Sequence, residues 1–147
     1  MSTSETRGYL VGLNSKNQFP IPNKLMQKIA KTTGKTALLI WHPNKKTLKF
    51  QSIDSKRVLK ITIWFKVITQ SLFEDINSLF KTYEDIIIYK TGVLFPYHFS
   101  EMPSIEYYFI DEPSHEIRIK ELENLLKEFD KIATVESQFL EKYLGDS

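Results

Sequence analysis

The sequence predicts an α+β fold made of two modules with opposite charge. In the first 55 residues, short apolar runs surround one amphipathic segment, in the order strand, short strand, helix, strand, strand. The remaining residues follow the order βαββαβ. Residues 1–60 hold twelve basic and two acidic residues, which leaves −8 for the rest of a chain whose formal net charge is +2. We therefore place one domain at residues 1–55 and a second at residues 56–147.

The first module begins with a strand at "GYLVGLN", Gly8–Asn14. The turn residues "SKNQ" separate it from "FPIP", a brief extended piece, because proline fixes φ and removes a ladder donor. The segment "NKLMQKIAKTTG" predicts a helix with Leu25, Met26 and Ile29 on one face and lysines on the other. The runs "TALLIW" and "TLKFQSI", joined by "HPNKK", predict a hairpin.

This module is too small to bury a core by itself. Domains of about fifty residues often depend on disulfides, metals or a partner chain. The chain has no cysteine, and metal ligands are scarce in this segment. We therefore expect the module to associate with a second copy of itself.

The order of elements in the first module resembles the AbrB/SpoVT-like swapped-hairpin family. The matching pieces are "KNQFPIP" (Lys16–Pro22), "NKLMQKIAKTTG" (Asn23–Gly34) and "KTALLIWHPNKKTLKFQ" (Lys35–Gln51). The resemblance implies an intertwined homodimer in which swapped hairpins complete one β-barrel, and a basic face that binds DNA. Asn17 and Gln18 stand where the family has a Gly-Arg pair.

The second module begins with a long apolar strand, "VLKITIWFKVI", followed by a helix whose apolar residues include Leu72, Ile76 and Phe80. Ser71 and Glu74 have the spacing of a capping box. Two strands follow, at residues 85–95 and 105–111. A second helix, in which Ile119, Leu122, Leu125, Leu126 and Phe129 face inward, and a strand at residues 131–140 complete the pattern.

The βαββαβ order is that of the split βαβ, ferredoxin-like arrangement. In topology and segment lengths, residues 58–143 resemble ACT-type regulatory domains, which associate with one another and often bind amino acids. In that family, the ligand approaches a glycine in the first strand-to-helix loop. The corresponding loop here, "ITQS", has no glycine. We therefore expect a module that dimerises or binds a protein partner.

Two functions from different classes fit these observations. The first is a homodimeric DNA-binding transcriptional regulator, whose partner is double-stranded DNA. In this hypothesis lysine and arginine side chains contact phosphates and two amides reach base edges. The candidate DNA-binding residues are Arg7, Lys16, Asn17, Gln18, Lys24, Lys28 and Lys31.

The second function is a protein-interaction or scaffold module that binds no nucleic acid. The acidic second module favours it, because the two halves of opposite charge could dock head to tail between copies. For each lysine taken singly, a solvated helix face is also a sufficient explanation.

The sequence shows no arrangement of residues typical of an enzyme. The histidines, His42, His98 and His115, lack metal-ligand spacing, and the glycines are scattered singly. We expect no catalytic residues, no cofactor and no metal. The sequence "MSTSETRGYL" lacks a signal-peptide pattern, and no apolar run approaches the ~20 residues of a membrane span. These features predict a cytoplasmic protein without a membrane partner.

The aromatic run at Tyr107, Tyr108 and Phe109 has two interpretations. Strands of RNA-recognition domains, which share this topology, use aromatic side chains to stack on bases. The second module is acidic, however, and would repel phosphates. We therefore expect these rings to be buried in the core.

Overall fold

The computed structural model describes residues 9–32, 36–55, 57–95 and 102–142. The described residues form an α+β structure with two antiparallel sheets and three α-helices. The chain divides into two compact units, residues 1–54 and residues 55–147. We refer to them as the first unit and the second unit.

The first unit contains one helix and one hairpin. Helix α1 spans Asn23–Thr32, and strands β1 (Thr36–His42) and β2 (Thr47–Ile53) pair antiparallel. Lys46 lies in the turn of the hairpin, where its amide donates to the carbonyl of Pro43 at 3.3 Å and its φ is 51°. The helix and the hairpin agree with the sequence prediction.

The prediction of a strand at Gly8–Asn14 was wrong. Residues 9–14 form no strand, and Gly8 lies outside the described residues. A strand requires a neighbour to accept its backbone hydrogen bonds, and within the described part of the chain no segment pairs with residues 9–14. The short strand predicted at "FPIP" is also absent, because its two prolines remove ladder donors.

The second unit follows the predicted order of strands and helices. Its elements are β3 (Val58–Phe65), α2 (Gln70–Lys81), β4 (Ile87–Lys90), β5 (Ser104–Ile110), a 3₁₀ turn at Pro113–His115, α3 (Glu116–Lys127) and β6 (Ile132–Leu140). The four strands form one antiparallel sheet in the order β4-β5-β3-β6.

Both helices of the second unit cover one face of this sheet. The odd-numbered residues of β3 and β5 point to that face, where Ile61, Ile63 and Phe109 have no exposed surface. Helix α2 adds Leu72, Ile76 and Phe80 to the core, and α3 adds Ile119, Leu122 and Leu126. Burial on this scale is the main source of stability for a domain of this size.

Two local predictions for the second unit were wrong. Helix α2 begins two residues earlier than a capping box at Ser71 would require, because Thr69 is the N-cap and its Oγ1 accepts from the amide of Leu72 at 3.2 Å. Strand β4 has four residues instead of the predicted eleven. Its pairing with β5 shifts register between Ile87 and Tyr89. Beyond Lys90 the Thr91 amide donates to the Glu106 carbonyl at 2.9 Å, and an isolated bridge joins Leu94 to Ser104.

The aromatic run of β5 is buried, as expected. Tyr107 and Phe109 belong to the core beneath the helices. Tyr108 points to the other face of the sheet, where it is also buried, and the Lys60 ammonium lies 5.9 Å from its ring centroid. In the described part of the chain, none of the helices combines the length and the apolar character needed to cross a bilayer.

Candidate nucleic-acid interface

The candidate site lies in the first unit, in a stretch of sequence that is rich in lysine and has no acidic residue. Between residues 9 and 53 the chain has eight lysines and neither an aspartate nor a glutamate. The second unit, by contrast, holds the ion pairs Arg57–Asp111, Lys60–Glu106 and Arg118–Asp85. A surface with an excess of lysine over acidic residues attracts polyanions.

Helix α1 places three candidate residues on one face. Lys24, Lys28 and Lys31 are four and three residues apart, and each is exposed. Residues at this spacing lie on the same side of a helix. Leu25 and Ile29, which are half-buried, occupy the opposite side, whereas Met26 of the predicted apolar face is exposed. The amphipathic pattern therefore orients the lysines outward.

The turn before α1 holds three more candidate residues together. The side-chain oxygen Oδ1 of Asn14 accepts from the amides of Lys16 and Gln18, both at 2.9 Å. The Asn14 amide donates to the Gln18 carbonyl at 2.9 Å, and Asn17 adopts a φ of 58°. Asparagine tolerates this left-handed conformation better than most residues. Lys16, Asn17 and Gln18 are exposed in this turn. The side chain of Gln18 also contacts Asn14, whose Nδ2 donates to the Gln18 Oε1 at 3.4 Å.

The hairpin turn adds cations that were left out of the predicted site. Lys45 and Lys46 are exposed in the turn between β1 and β2. The pair of adjacent lysines in a proline-containing turn was the available signal, since turn residues lie at the surface. Arg7, the remaining candidate, lies outside the described residues.

The hairpin has one exposed apolar face. In its register Leu39 lies opposite Phe50, and Trp41 lies opposite Leu48. Opposite residues of an antiparallel pair point to the same side. These four side chains are between 45% and 61% exposed, whereas Leu38 and Ile40, on the other face, are buried. A contiguous apolar patch of this kind typically marks a protein interface.

The second unit uses several of its polar groups for structure. The Nδ1 of His115 lies 3.3 Å from the carbonyl of Ile110. Asp111 forms an ion pair with Arg57, with 3.0 Å between Oδ2 and Nε. In the part of the chain that is described, no group of three or more His, Cys, Asp or Glu side chains is placed to hold a metal ion.

A cleft of about 480 Å³ lies beside α2 and β4 in the second unit. Its lining combines both signs of charge, with Lys81 and Lys90 beside Glu84, and the buried Tyr107 also borders it. Desolvation by burial raises the pKa of the Tyr107 phenol to about 12. The mixed charge distinguishes this cleft from the cationic first unit.

Comparisons of this chain with protein-family models, with curated proteins and with solved structures gave no significant match.

Proposed function

We propose that this chain is a homodimeric DNA-binding regulator of the AbrB/SpoVT-like type. The observation that carries the proposal is the charge of the first unit, where eight lysines between residues 9 and 53 stand without one carboxylate. In this proposal the exposed lysines of α1 contact phosphates, and the turn at Lys16–Gln18 approaches the groove. Phosphate contacts position a protein on DNA, and the amides of Asn17 and Gln18 are groups that can read base edges.

The exposed hairpin face supports the dimeric part of the proposal. Half-burying a large apolar side chain contributes roughly 1 kcal/mol, so four from each copy would contribute about 8 kcal/mol. Association costs about 4–15 kcal/mol, which makes this face alone marginal. The first unit exposes further apolar side chains that a swapped hairpin would cover, namely Leu10, Leu13, Phe19 and Ile21.

In this proposal the second unit is a ferredoxin-like, ACT-like module that sets oligomerisation or binds a protein partner. Its support is the strand order β4-β5-β3-β6, antiparallel throughout, with both helices on one face. In that order the first and third strands of the unit are central, as the split βαβ arrangement requires. A cytoplasmic location also belongs to this proposal.

A charge-reversal experiment tests the DNA-binding function. Lys24, Lys28 and Lys31 of α1 are replaced together by glutamate in the full chain, and binding to random-sequence duplex DNA is followed by fluorescence anisotropy. The matched control replaces Lys66, Lys81 and Lys90 of the second unit, which are also exposed, so the net charge changes equally. We expect the α1 variant to lose binding and the control to retain it, because the contacts are local.

A scaffold without nucleic-acid binding is the second candidate, and the acidity of the second unit favours it. The same two variants separate the candidates when their mass is measured by light scattering. A regulator keeps its oligomeric state when the α1 lysines are reversed. A head-to-tail scaffold loses assembly in that variant and binds no DNA in any form, which would contradict the proposal.

A further inference from the structure

The outer strand β6 has an edge whose backbone groups point away from the sheet. The amide of Phe65 donates to the carbonyl of Pro103, and that of Asp111 to the carbonyl of Arg57, at 3.0 and 3.1 Å. Odd-numbered residues of β3 therefore bond to β5. Because backbone direction alternates along a strand, the even-numbered residues bond to β6. Their partners in β6 are Thr134, Glu136, Gln138 and Leu140.

It follows that Val135, Ser137 and Phe139 turn their N–H and C=O groups outward. Among the described residues, no strand pairs with this edge of the sheet. Exposed edges are normally protected by shortness, proline, lysine or a bulge. The nine residues of β6 include neither proline nor lysine, and Glu136 is their only charge. The opposite edge strand, β4, is by contrast four residues long and irregular.

We propose that β6 of one chain pairs antiparallel with β6 of a second copy, about a two-fold axis at Ser137, and so joins two four-stranded sheets into one of eight strands. In this register the outward-facing residues meet as hydrogen-bonded pairs, Ser137 with its own copy and Val135 with Phe139. Phe139 is 55% exposed in the single chain. Pairing places its ring against the partly buried Val135 of the second copy, on the helix side of the sheet.

The single charge of β6, on Glu136, selects this register over its neighbours. Shifting the axis to Glu136 would set two carboxylates directly opposite each other, which is destabilising. Shifting the axis to Gln138 would set Glu136 opposite Leu140 and Ser137 opposite Phe139. With the axis at Ser137, the neighbour of Glu136 across the interface is Gln138, whose amide can donate to it.

Helix α3 contacts β6 beside the proposed axis. Ser137 donates from its hydroxyl to the Glu123 carboxylate at 2.9 Å, which fixes Glu123 on the β6 side of the helix. Glu116, Lys120 and Lys127 follow the same stripe at helical spacing, so the signs alternate along it. This inference uses only the second unit and does not depend on DNA binding.

Cysteine cross-linking in the full chain tests the pairing. The protein has no cysteine of its own, so Ser137→Cys introduces a single thiol. In a hydrogen-bonded antiparallel pair the two Cα atoms lie ~5.5 Å apart, within the range of a disulfide. The control is Asn77→Cys on the exposed side of α2, beside the β4 edge. Under mild oxidation, Ser137→Cys should form linked dimer on the order of tenfold faster, because pairing raises the effective thiol concentration.

A second variant keeps the test decisive. Adding Phe139→Lys to Ser137→Cys removes both symmetry-related contacts with Val135 and should slow linkage by about tenfold. Circular dichroism checks that each variant is folded. The proposal is overturned when Ser137→Cys links no faster than Asn77→Cys, or when Phe139→Lys leaves the rate unchanged. Since neither readout involves DNA, the result is independent of the anisotropy experiment.

Discussion

The ring of Phe80 in α2 lies face to face on the ring of Tyr107 in β5, with centroids 3.7 Å apart and planes inclined by 3°. Phe109 adds a tilted contact with each ring at 6.2 and 6.4 Å. Both members of the stack are buried. The stack therefore fixes α2 against the sheet at the β5 position.

Removing Phe80 should destabilise the second unit strongly. Phe80→Ala leaves a cavity against Tyr107, and such truncations cost about 3–5 kcal/mol of unfolding free energy. The measurement is urea denaturation followed by circular dichroism. The matched control is Phe95→Ala, whose ring is 67% exposed and whose loss should change stability by about 0.5 kcal/mol or less. Equal effects of the two truncations would contradict the packing described here.

The burial of Tyr107 predicts a loss of stability at alkaline pH. Desolvation raises the pKa of its phenol from 10.0 to about 12 in the folded chain. Above pH 10 the unfolded state loses this proton while the folded state retains it, so stability falls as pH rises from about 10 to 12. Tyr107→Phe removes the ionisable group, and the stability of this variant should decline less over that interval. Identical pH profiles for the two proteins would count against the burial of the hydroxyl.

Arg118 and Asp85 join α3 to the end of α2 by two hydrogen bonds. The Nη1 and Nη2 atoms donate to Oδ2 and Oδ1 at 2.7 and 2.9 Å, and Nη2 also donates to the Thr82 carbonyl. The Arg118 hydrogen bond, the largest contribution, lowers the pKa of the Asp85 carboxyl. The stability that this pair contributes is present above the unfolded pKa of aspartate, about 3.9, and is lost as pH falls through the folded value.

The Asp85→Asn variant tests this contribution. The pair is exposed, so the loss at neutral pH should be small, and it should disappear at acidic pH, where the wild-type carboxyl is protonated as well. Thermal unfolding at both pH values gives the comparison. Glu84→Gln changes the neighbouring carboxylate and should shift the melting temperature less. A deficit in Asp85→Asn that persisted undiminished in acid would show that charge is not its source.

The elements that could be predicted from sequence are those with long, regular apolar periodicity. Helix α2 follows from Leu72, Ile76 and Phe80, and the β1–β2 hairpin follows from two apolar runs around a proline-containing turn. The predicted strand at residues 8–14 failed because strand formation depends on a pairing partner, which local sequence does not specify. The predicted length of β4 was wrong because its regular pairing with β5 ends at Lys90, although the apolar run continues.

The residues of the candidate site could be predicted only in part. The lysine face of α1 follows from helical spacing, and the turn at Asn17 follows from its residue types.

The link between Arg118 and Asp85, 33 residues apart in sequence, depends on how two helices pack and has no local signal. The outward-facing edge of β6 also appears only once the strand order is known.

The exposed hairpin face predicts that Trp41 is central to self-association. Trp41→Ser should weaken the dimer by about 2 kcal/mol or more, since buried tryptophans are frequent interface hot spots. Sedimentation velocity over a concentration series provides the measurement. Val67→Ser is the control, because Val67 of the second unit is 56% exposed, close to the 59% of Trp41. A dimer unaffected by Trp41→Ser would mean that a surface other than this face holds the two copies together.

The central claim is that two copies of the chain bind the phosphates of DNA through the exposed lysines of their α1 helices. The salt dependence of binding tests this claim most directly. The affinity of the wild-type chain for a random-sequence duplex is measured by anisotropy from about 50 to 200 mM salt. If the three α1 lysines of each copy neutralise one phosphate apiece, the logarithm of the affinity should fall against the logarithm of salt with a slope of about −5. No binding at about 50 mM salt, or an affinity that does not respond to salt, would contradict the account.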